Sequence, residues 1–410
     1  MSDRSERPTL RVGFVGTGFI AAFHLQAMLG VRNVQVAGVY SRSAERRHRI
    51  VEKAEALGLG PARAFDSLEA MCMSGEVDAL WVMTPNDTRL DVMREIHRHV
   101  RAGAPIRAVA CEKPLARTLT ESREMLRLVE DAGLLHGYLE NQLFSTAVVR
   151  GKDIIWRRAV PGSGRPYIAR AAEEHSGPHE PWFWQGERQG GGVLSDMMCH
   201  SVEVARFLLT APGAARSSLR LVSASATVAT LKWTRPRYAA DLTARMGIDF
   251  ARRPVEDFAR GIVTLESEAG EQLLIEATTS WAYVGAGLRI QLELLGPEYS
   301  MEFSSLSTGL KVFLSRNLRE EAGEDLVEKQ NAETGLMPVL EDEAGIYGYT
   351  DENRHMVEAF RRGTMPAETF ADGVGVMEML MGLYRSAELG RTVTFPDPEL
   401  ETYVPVVARP

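Results

Sequence analysis

Cysteine is scarce in this chain of 410 residues, which contains only Cys72, Cys111 and Cys199. Three thiols so far apart in sequence cannot supply the disulfide framework of a small secreted domain, and no Cys-x-x-Cys pair indicates structural zinc. Both absences fit a reducing compartment. We therefore expect a cytoplasmic protein without a bound metal.

An excess of positive charge and a convincing membrane span are also missing. The 47 Lys and Arg residues are outnumbered by 55 Asp and Glu, which gives a net charge of −8. Proteins that bind nucleic acids are usually basic, so we predict no nucleic-acid partner. Residues 12–31 contain no Asp, Glu, Lys or Arg, but their glycines and polar side chains make them a poor bilayer span. Residues 1–10 are charged and polar, without the apolar core of a secretory signal, and we expect no membrane partner.

Strands alternate with helices through the first third of the chain. Predicted strands cover 10–16, 34–40, 77–83, 106–111 and 134–139, and predicted helices cover 19–30, 44–57, 90–102 and 119–132. This alternation is typical of an α/β fold with a doubly wound parallel sheet, whose ligands bind at the carboxyl ends of the strands. The length favours two domains of about 100–200 residues or more. We place the first, a dinucleotide-binding domain, at 1–140.

The pattern changes in residues 141–410, where longer β-rich runs show partial alternation of apolar and polar residues. Predicted strands cover 167–173, 221–231, 261–266, 272–281 and 288–295, and predicted helices cover 193–209, 353–362 and 373–389. Such runs favour a second, α+β domain with a mainly antiparallel sheet. We interpret residues 317–350, which are charged and without clear period, as a long loop or short helices.

A glycine motif lies between the first predicted strand and helix. Residues 16–21 read Gly-Thr-Gly-Phe-Ile-Ala, the pattern G-x-G-x-x-A. Gly16 permits a tight turn, Gly18 lets the backbone approach a pyrophosphate, and Ala21 allows close helix packing. Amide groups at the start of the helix then bind the negative charge. We predict that Gly16, Thr17, Gly18, Phe19 and Ile20 bind a dinucleotide, the alternative being an ordinary tight turn.

The second predicted strand ends without a carboxylate, at Ser41 and Arg42. An acidic residue at this position binds the ribose 2′-hydroxyl of NAD, whereas arginine suits the 2′-phosphate of NADP. We therefore predict Ser41, Arg42 and Arg46 as cofactor-binding residues and favour NADP, with NAD possible. The alternative is that these arginines form the solvated face of a helix, which is our interpretation of Arg47.

Two further motifs follow the third and fourth of the predicted strands listed above, Thr84-Pro85-Asn86 and Cys111-Glu112-Lys113-Pro114-Leu115. With them, the chain resembles the Gfo/Idh/MocA family of nicotinamide-dependent sugar and cyclitol oxidoreductases. The resemblance extends over nearly the whole chain and rests on GTGFIA, VDALWVMTPN, CEKPLA, GGGVLSDMMCHSVEVARFLL, LELLGPEYSMEF and ETFADGVGVMEMLMGLYRSAELGR.

The resemblance implies a Rossmann domain followed by a domain with a large open sheet, which binds substrate and mediates a homodimer or homotetramer. It also implies hydride transfer at a secondary alcohol or ketone of a sugar, cyclitol or glycoside. Lys113 matches the lysine of the family's E-K-P motif, and Asp196 and His200 match its D-x-x-x-H. We add a list of cofactor-binding residues: Thr84, Pro85, Asn86, Glu112, Lys113 and Asn141.

The residues themselves support these roles. Asp196 and His200 are spaced i, i+4, so they share one face of a helix that follows the glycines 190–192, which we interpret as a flexible entry. Histidine suits the transfer of a hydroxyl proton near neutral pH, and Lys113 could stabilise an alkoxide or act as the base itself. A purely structural Asp196–His200 pair stays open, and zinc bound through Cys199 and His200 is disfavoured because no further ligand has suitable spacing.

The chain departs from the family pattern at three places. Arg89 stands where the family often has histidine, Phe183 where it has arginine, and 140–144 lack the usual arginine. Residues 174–184 are rich in histidine and aromatic residues, and we predict that His179 and Trp182 bind substrate with Lys113, Asp196 and His200. The alternative for this segment is a packed aromatic cluster under a loop.

Two rival functions remain at this point. A glycosidase of the same fold could retain NAD and oxidise its substrate transiently, with no net redox change. The second rival is a regulator that binds the cofactor without catalysis. It is disfavoured because Lys113, Asp196 and His200 are all present, and a non-catalytic relative need not retain them.

Overall fold

The computed structural model describes residues 9–285, 287–309, 311–314, 335–338, 340 and 342–409. The chain divides into two compact units. The first takes in the described residues up to Ala116, with Thr120–Phe144 and Tyr347–Val374, and the second takes in the others. A single boundary after residue 140 therefore does not describe the division, because residues 347–374 return to the first unit.

The first unit contains a six-stranded parallel sheet. Its strands are β1 (Leu10–Val15), β2 (Val34–Tyr40), β3 (Arg63–Phe65), β4 (Ala79–Val82), β5 (Ala108–Glu112) and β6 (Leu135–Leu139). Their order is β3-β2-β1-β4-β5-β6, and every neighbouring pair is parallel. The order reverses between β1 and β4, so the predicted doubly wound fold is confirmed, and its ligand edge lies at the carboxyl ends of these strands.

The second unit is built on a seven-stranded sheet. Its strands are β7 (Ile168–Glu174), β8 (Leu219–Ala229), β9 (Phe258–Ser267), β10 (Gln272–Ser280), β11 (Arg289–Gly296), β12 (Tyr299–Ser304) and β15 (Val393–Thr394). The order is β12-β11-β7-β10-β9-β8-β15, and only the β7–β10 pair is parallel. The predicted mainly antiparallel sheet is confirmed. A separate antiparallel pair joins β13 (Lys311–Leu314) to β14 (Gly335–Pro338).

The described α-helices are α1 (Phe19–Met28), α2 (Ala44–Ala56), α3 (Leu68–Met73), α4 (Asn86–Arg101), α5 (Leu119–Asp131), α6 (Thr146–Ile154), α7 (Val160–Ser163), α8 (Gly186–Gln189), α9 (Val193–Leu209), α10 (Pro236–Met246), α11 (Glu343–Ile346), α12 (Tyr349–Arg362) and α13 (Phe370–Leu389). Helix α4 begins four residues before the predicted Leu90, directly after Pro85, because its first turn is polar and carries no apolar period. The short β3 and α3 and the helices α6 and α10 were not predicted.

The packing of α12 and of α9 positions the residues of the candidate site. In the first unit, α12 packs against α1, β1 and β6, and its Met356, Val357 and Phe360 join the core around Val12 and Phe14. In the second unit, α9 packs across β7, β9, β10 and β11. Nearly all of α9 is buried as a result.

Part of the predicted loop 317–350 lies outside the described residues, namely 317–334, 339 and 341. Its described part contains β14, α11 and the start of α12. Among the helices that the structure describes, none combines the length and the apolar composition needed to cross a bilayer.

Candidate functional site

The glycine turn after β1 has the geometry of a phosphate cradle. Gly16 has φ = +113°, and a Cβ there would lie 2.6 Å from the carbonyl oxygen of Met83, so glycine is required. A Cβ on Gly18 would meet nothing within 4 Å, which leaves the backbone open to an approaching group. Helix α1 begins at Phe19 with no side-chain cap and no acidic residue in its first turn. Its amide groups therefore fit a dinucleotide pyrophosphate.

The small residue of the motif packs as predicted, since Ala21 is buried. Phe19 and Ile20 are half-buried in the first turn of α1, beside the half-buried Thr17. The Thr17 hydroxyl donates a hydrogen bond to Ser41 Oγ at 3.0 Å, which joins the glycine turn to the end of β2.

The end of β2 is fixed by an arginine that we expected to be solvated. Arg47 is only 7% exposed, and it donates hydrogen bonds to the Ser41 carbonyl oxygen at 2.7 Å and to Asp66 at 2.6 Å. The interpretation of Arg47 as part of a solvated face is wrong, because α2 turns this residue inward onto the loop after β2. Arg42 and Arg46 are exposed.

The ends of β4 and β5 are joined by Arg89, which lies in the first turns of α4 and is 4% exposed. Its Nε donates to the Thr84 carbonyl oxygen at 2.9 Å, and its Nη1 donates to the Glu112 carbonyl oxygen at 2.6 Å. The same Nη1 contacts the carbonyl oxygen of Pro114. In the sequence, Arg89 was only a departure from the family pattern.

The carboxylate of Glu112 lies in a buried hydrogen-bond network. Its Oε2 accepts the backbone N–H of Lys113 at 2.9 Å, and its Oε1 lies 2.9 Å from His24 Nε2. The other ring nitrogen of His24 bonds the amide of Asn353, which also accepts the indole N–H of Trp81 at 3.0 Å. The network thus joins α1, β4, β5 and α12.

Electrostatics keep Glu112 ionised. Burial alone would raise the pKa of its carboxyl group. The hydrogen bond from His24, followed by the charges of His24, Lys113 and Arg89, outweighs burial and holds that pKa below its usual value. Glu112 is therefore a buried carboxylate whose two oxygens both have hydrogen-bond partners.

Glu352, on α12, has the opposite character. Its side chain is fully buried, and neither oxygen has a hydrogen-bond partner among the described residues. Burial, followed by the charges of Glu112 and Glu140, raises the pKa of Glu352 well above its usual value. Burial and the two neighbouring carboxyl groups therefore favour the protonated form of Glu352.

In the second unit, the glycines before α9 are packed, and the expected flexible entry is wrong. Gly191 has φ = +148°, and a Cβ there would lie 1.9 Å from Tyr384 Oη. A Cβ on Gly192 would lie 2.4 Å from the carbonyl oxygen of Glu256. Glycine is needed at both positions because side chains and backbone of the same unit fill the space.

Glu256 caps the amino end of α9. Its Oε1 accepts the N–H groups of Gly192 at 2.9 Å and Leu194 at 3.1 Å, and the hydroxyl of Tyr384 at 2.6 Å. The Tyr384 oxygen also accepts the N–H of Ser195 at 3.2 Å. Burial outweighs these hydrogen bonds and raises the pKa of Glu256.

Asp196 and His200 lie one turn apart on α9, and each is 3% exposed. The buried indole of Trp281 donates to Asp196 Oδ2 at 3.3 Å, and the thiol of Cys199 donates to the Asp196 carbonyl oxygen at 3.1 Å. Lys113 belongs to the first unit, where it is half-buried directly after β5. It shares the carboxyl edge of the parallel sheet with the glycine turn and with Thr84.

The aromatic segment divides into a buried part and an accessible part. Trp184 is buried against Trp233, Trp281 and Phe250, and its indole donates to the Pro178 carbonyl oxygen. Trp182 stacks on Phe183, with ring centroids 3.8 Å apart, and both are half-exposed.

The other predicted site residues lie as follows. His179 is exposed, Pro85 is half-buried before α4, and Asn86 is buried at its first position. Asn141 is buried and donates to the Tyr347 carbonyl oxygen at 2.8 Å.

The supporting residues His24, Asn353, Glu256 and Tyr384 were missed. His24 and Glu112 are 88 positions apart, and Glu256 and Tyr384 are 128 apart. Residues that pair over such long sequence separations produce no periodic pattern along the chain that could reveal the pairing. The only signal was a charged residue, Glu112, at the end of an otherwise apolar strand.

Comparisons with known proteins agree with this architecture. Residues 10–138 match the model of an oxidoreductase family with an NAD-binding Rossmann fold, and residues 162–302 match the GFO/IDH/MocA C-terminal domain. A 1,5-anhydro-D-fructose reductase of Ensifer adhaerens is 31% identical over 48% of this chain and 56% of its own length. An inositol 2-dehydrogenase of Rhizobium meliloti (strain 1021) is 28% identical over 69% of this chain and 73% of its own.

A similar solved structure is that of GenD2 from gentamicin A biosynthesis in complex with NAD. It is 22% identical, covers 97% of this chain and 99% of its own, and superposes with a TM-score of 0.75, which supports the fold. The chain spans little more than half the length of the anhydrofructose reductase it matches. With both of its domains matched by models of one family, the chain belongs to the Gfo/Idh/MocA family of oxidoreductases.

Proposed function

We propose that this enzyme transfers hydride between a nicotinamide dinucleotide and a secondary alcohol or ketone carbon of a sugar, cyclitol or glycoside. The observation that carries the proposal is the carboxyl edge of the parallel sheet, where an open glycine turn and the amine-bearing Lys113 follow strands β1 and β5. The names of the two relatives, a reductase of an anhydro sugar and a dehydrogenase of a cyclitol, support the substrate class.

The residues of the glycine turn suit the cofactor. Gly16, Thr17 and Gly18, with the first turn of α1 at Phe19 and Ile20, would bind the pyrophosphate. The exposed Arg42 and Arg46, with Ser41, would bind a ribose 2′-phosphate, so we propose NADP with NAD as the lesser substrate. When bound, the oxidised nicotinamide accepts the hydride that leaves the alcohol carbon.

Three side chains would carry the remaining chemistry. His200 takes the hydroxyl proton as the C–H hydrogen departs with its electron pair and the C–O bond becomes C=O. The Lys113 ammonium donates a hydrogen bond to the same oxygen and stabilises its developing negative charge. Asp196, oriented by the Trp281 indole, accepts a hydrogen bond from a neighbouring hydroxyl. Ketone reduction reverses these transfers.

The aromatic segment would provide a wall of the substrate site. The stacked Trp182 and Phe183 present an accessible apolar surface, and sugars offer C–H faces of matching character. His179, which is exposed on the same segment, would bind a hydroxyl group.

A substrate panel tests the proposal. We expect myo-inositol, D-glucose or methyl β-D-glucoside, each offered with NAD and with NADP, to cause net formation of reduced nicotinamide, measured by its near-ultraviolet absorbance. Sugar release from the glucoside with no net absorbance change would contradict the proposal and support the glycosidase alternative, which the reductase and dehydrogenase relatives do not favour. Light scattering measures the proposed homodimer or homotetramer.

A further inference from the structure

The guanidinium of Arg89 is nearly withdrawn from solvent, yet the hydrogen bonds described for it all go to backbone carbonyl oxygens. They belong to Thr84, Glu112 and Pro114. A buried cation is costly unless its donors are satisfied. Three carbonyl dipoles and the nearby Glu112 carboxylate provide that compensation.

Two of these carbonyl groups flank Lys113 on either side, at Glu112 and Pro114. The N–H of Lys113 is held as well, by Glu112 Oε2 at 2.9 Å. The main chain is therefore fixed before, at and after Lys113. The third contact, to Thr84, fixes the turn after β4 relative to the turn after β5.

Arginine suits this position better than lysine. Its planar guanidinium carries five N–H donors in a rigid fork, so one side chain can reach carbonyl groups from two different strands. A lysine ammonium has three donors on a flexible stem and cannot reproduce the same spacing.

We propose that Arg89 is a positioning residue, which sets the direction of the Lys113 amine by holding the carbonyl groups on both sides of it. This inference rests on the role proposed above for Lys113. The partners described for Arg89 are backbone carbonyl groups, so its effect on Lys113 passes through the backbone at 112–114.

The test compares Arg89→Met and Arg89→Lys with Arg94→Met in the full-length enzyme, using the best alcohol of the substrate panel. Arg94 lies on the same helix but is exposed, and its partner Glu124 is outside the site. We expect kcat of Arg89→Met to fall by roughly tenfold to a hundredfold with a small change in the KM of NADP, because a misdirected group slows chemistry more than binding. Arg89→Lys retains the charge and is expected to recover only part of kcat.

A second measurement does not depend on activity. Hydrogen–deuterium exchange of the backbone at 108–116 should be faster in Arg89→Met and Arg89→Lys and unchanged in Arg94→Met. Added guanidinium ion should restore part of the kcat of an Arg89→Ala variant. If Arg89→Met does not fold, the exchange and kcat of Arg89→Lys decide the question.

The outcomes separate the two proposals. Unchanged exchange at 108–116, or a kcat equal to that of Arg94→Met, would overturn the role of Arg89 while leaving the proposed function intact. A normal kcat in both Lys113→Ala and His200→Ala would instead remove the function on which this inference rests.

Discussion

The two units each use a buried glutamate to hold the backbone of a proposed site segment, but the pKa values of the two carboxyl groups are shifted in opposite directions. In the first unit, Glu112 accepts the N–H of Lys113 and has a lowered pKa. In the second unit, Glu256 accepts the N–H groups of Gly192 and Leu194 at the start of α9 and has a raised pKa. Both are almost fully buried, so burial alone does not explain the difference.

The difference comes from the neighbours. Glu112 faces His24, Lys113 and Arg89, which are all cationic or able to become so. Glu256 faces neutral donors, namely backbone amides and the hydroxyl of Tyr384. Neutral donors offset only part of the desolvation cost of a buried carboxylate, so its pKa stays raised. Nearby cations more than offset that cost and lower the pKa.

The largest expected effect follows from removing the groups that the two glutamates support. Lys113→Ala and His200→Ala should each lower kcat/KM by about 10²–10⁴-fold, because each loses a group that transfers a proton or stabilises charge. Steady-state kinetics measures this loss, with Lys53→Ala and His48→Ala as controls from α2. Cofactor binding by His200→Ala and thermal unfolding of both site variants should stay near normal. Near-normal rates in both site variants would contradict the proposed chemistry.

Replacing each glutamate by glutamine tests directly whether the two positions differ in their electrostatic surroundings. Glu112→Gln should lower the free energy of unfolding by about 3 kcal/mol, because the buried guanidinium of Arg89 loses a compensating negative charge and the hydrogen bond to His24 is disturbed. Glu256→Gln should cost about 1 kcal/mol or less, because the partners of Glu256 are neutral donors that the glutamine carbonyl oxygen can still accept. Urea unfolding of both variants measures the two costs, with the exposed Glu52→Gln on α2 as the control. Equal losses at the two positions would show that the cations near Glu112 do not distinguish it from Glu256.

The sequence predicted the sheets and helices that carry the candidate site residues, but not the buried polar residues that hold them in place. The doubly wound sheet, the mainly antiparallel sheet and α9 follow from local periodicity, because apolar spacing reports which face of an element is buried. The motifs around Gly16, Lys113 and Asp196 are local as well. His24, Arg89 and Glu256 gain their roles only when distant strands and helices meet, and no pattern along the chain encodes such a meeting.

Prediction was also weakest where polar residues begin an element or turn inward. The first turn of α4 has no apolar period, so its start was placed too late. Arg47 is polar but buried, because its donors reach a backbone carbonyl group and Asp66. Hydrophobic periodicity cannot reveal a polar side chain whose burial depends on a partner elsewhere in the fold.

A smaller effect is expected from the exposed cation at the end of β2. Unlike Arg89 and Arg47, Arg42 is exposed, so it is available to a 2′-phosphate. Arg42→Ala should weaken NADP binding by about tenfold, the loss of one charge-assisted contact, with little change for NAD. Isothermal titration with both cofactors measures the ratio, and Arg49→Ala on the outer face of α2 is the control. An equal loss for NAD and NADP would remove the 2′-phosphate assignment.

The smallest expected effect concerns the pH dependence of stability. It compares Glu352, whose pKa is raised, with Glu112, whose pKa is lowered. The folded pKa of Glu352 is raised, so the native state holds a proton that the unfolded chain releases above its ordinary pKa of 4.5. Stability from this group is therefore lost as the pH rises from about 4.5 through the folded pKa. Glu112, whose pKa is lowered, contributes with the opposite sign: its stabilisation is present above 4.5 and lost as the pH falls through its folded pKa.

Glu352→Gln removes only the first of these dependences, because glutamine does not titrate. Thermal unfolding midpoints measured across a pH series should decline less steeply above pH 4.5 in this variant than in the wild type, while the loss on the acid side, to which Glu112 contributes, persists. Glu358→Gln, on the same helix but half-exposed, is the control. An unchanged slope above pH 4.5 would mean that Glu352 is already ionised in the folded protein. Glu352 could then no longer be grouped with Glu256 as a carboxyl group whose pKa is raised by burial.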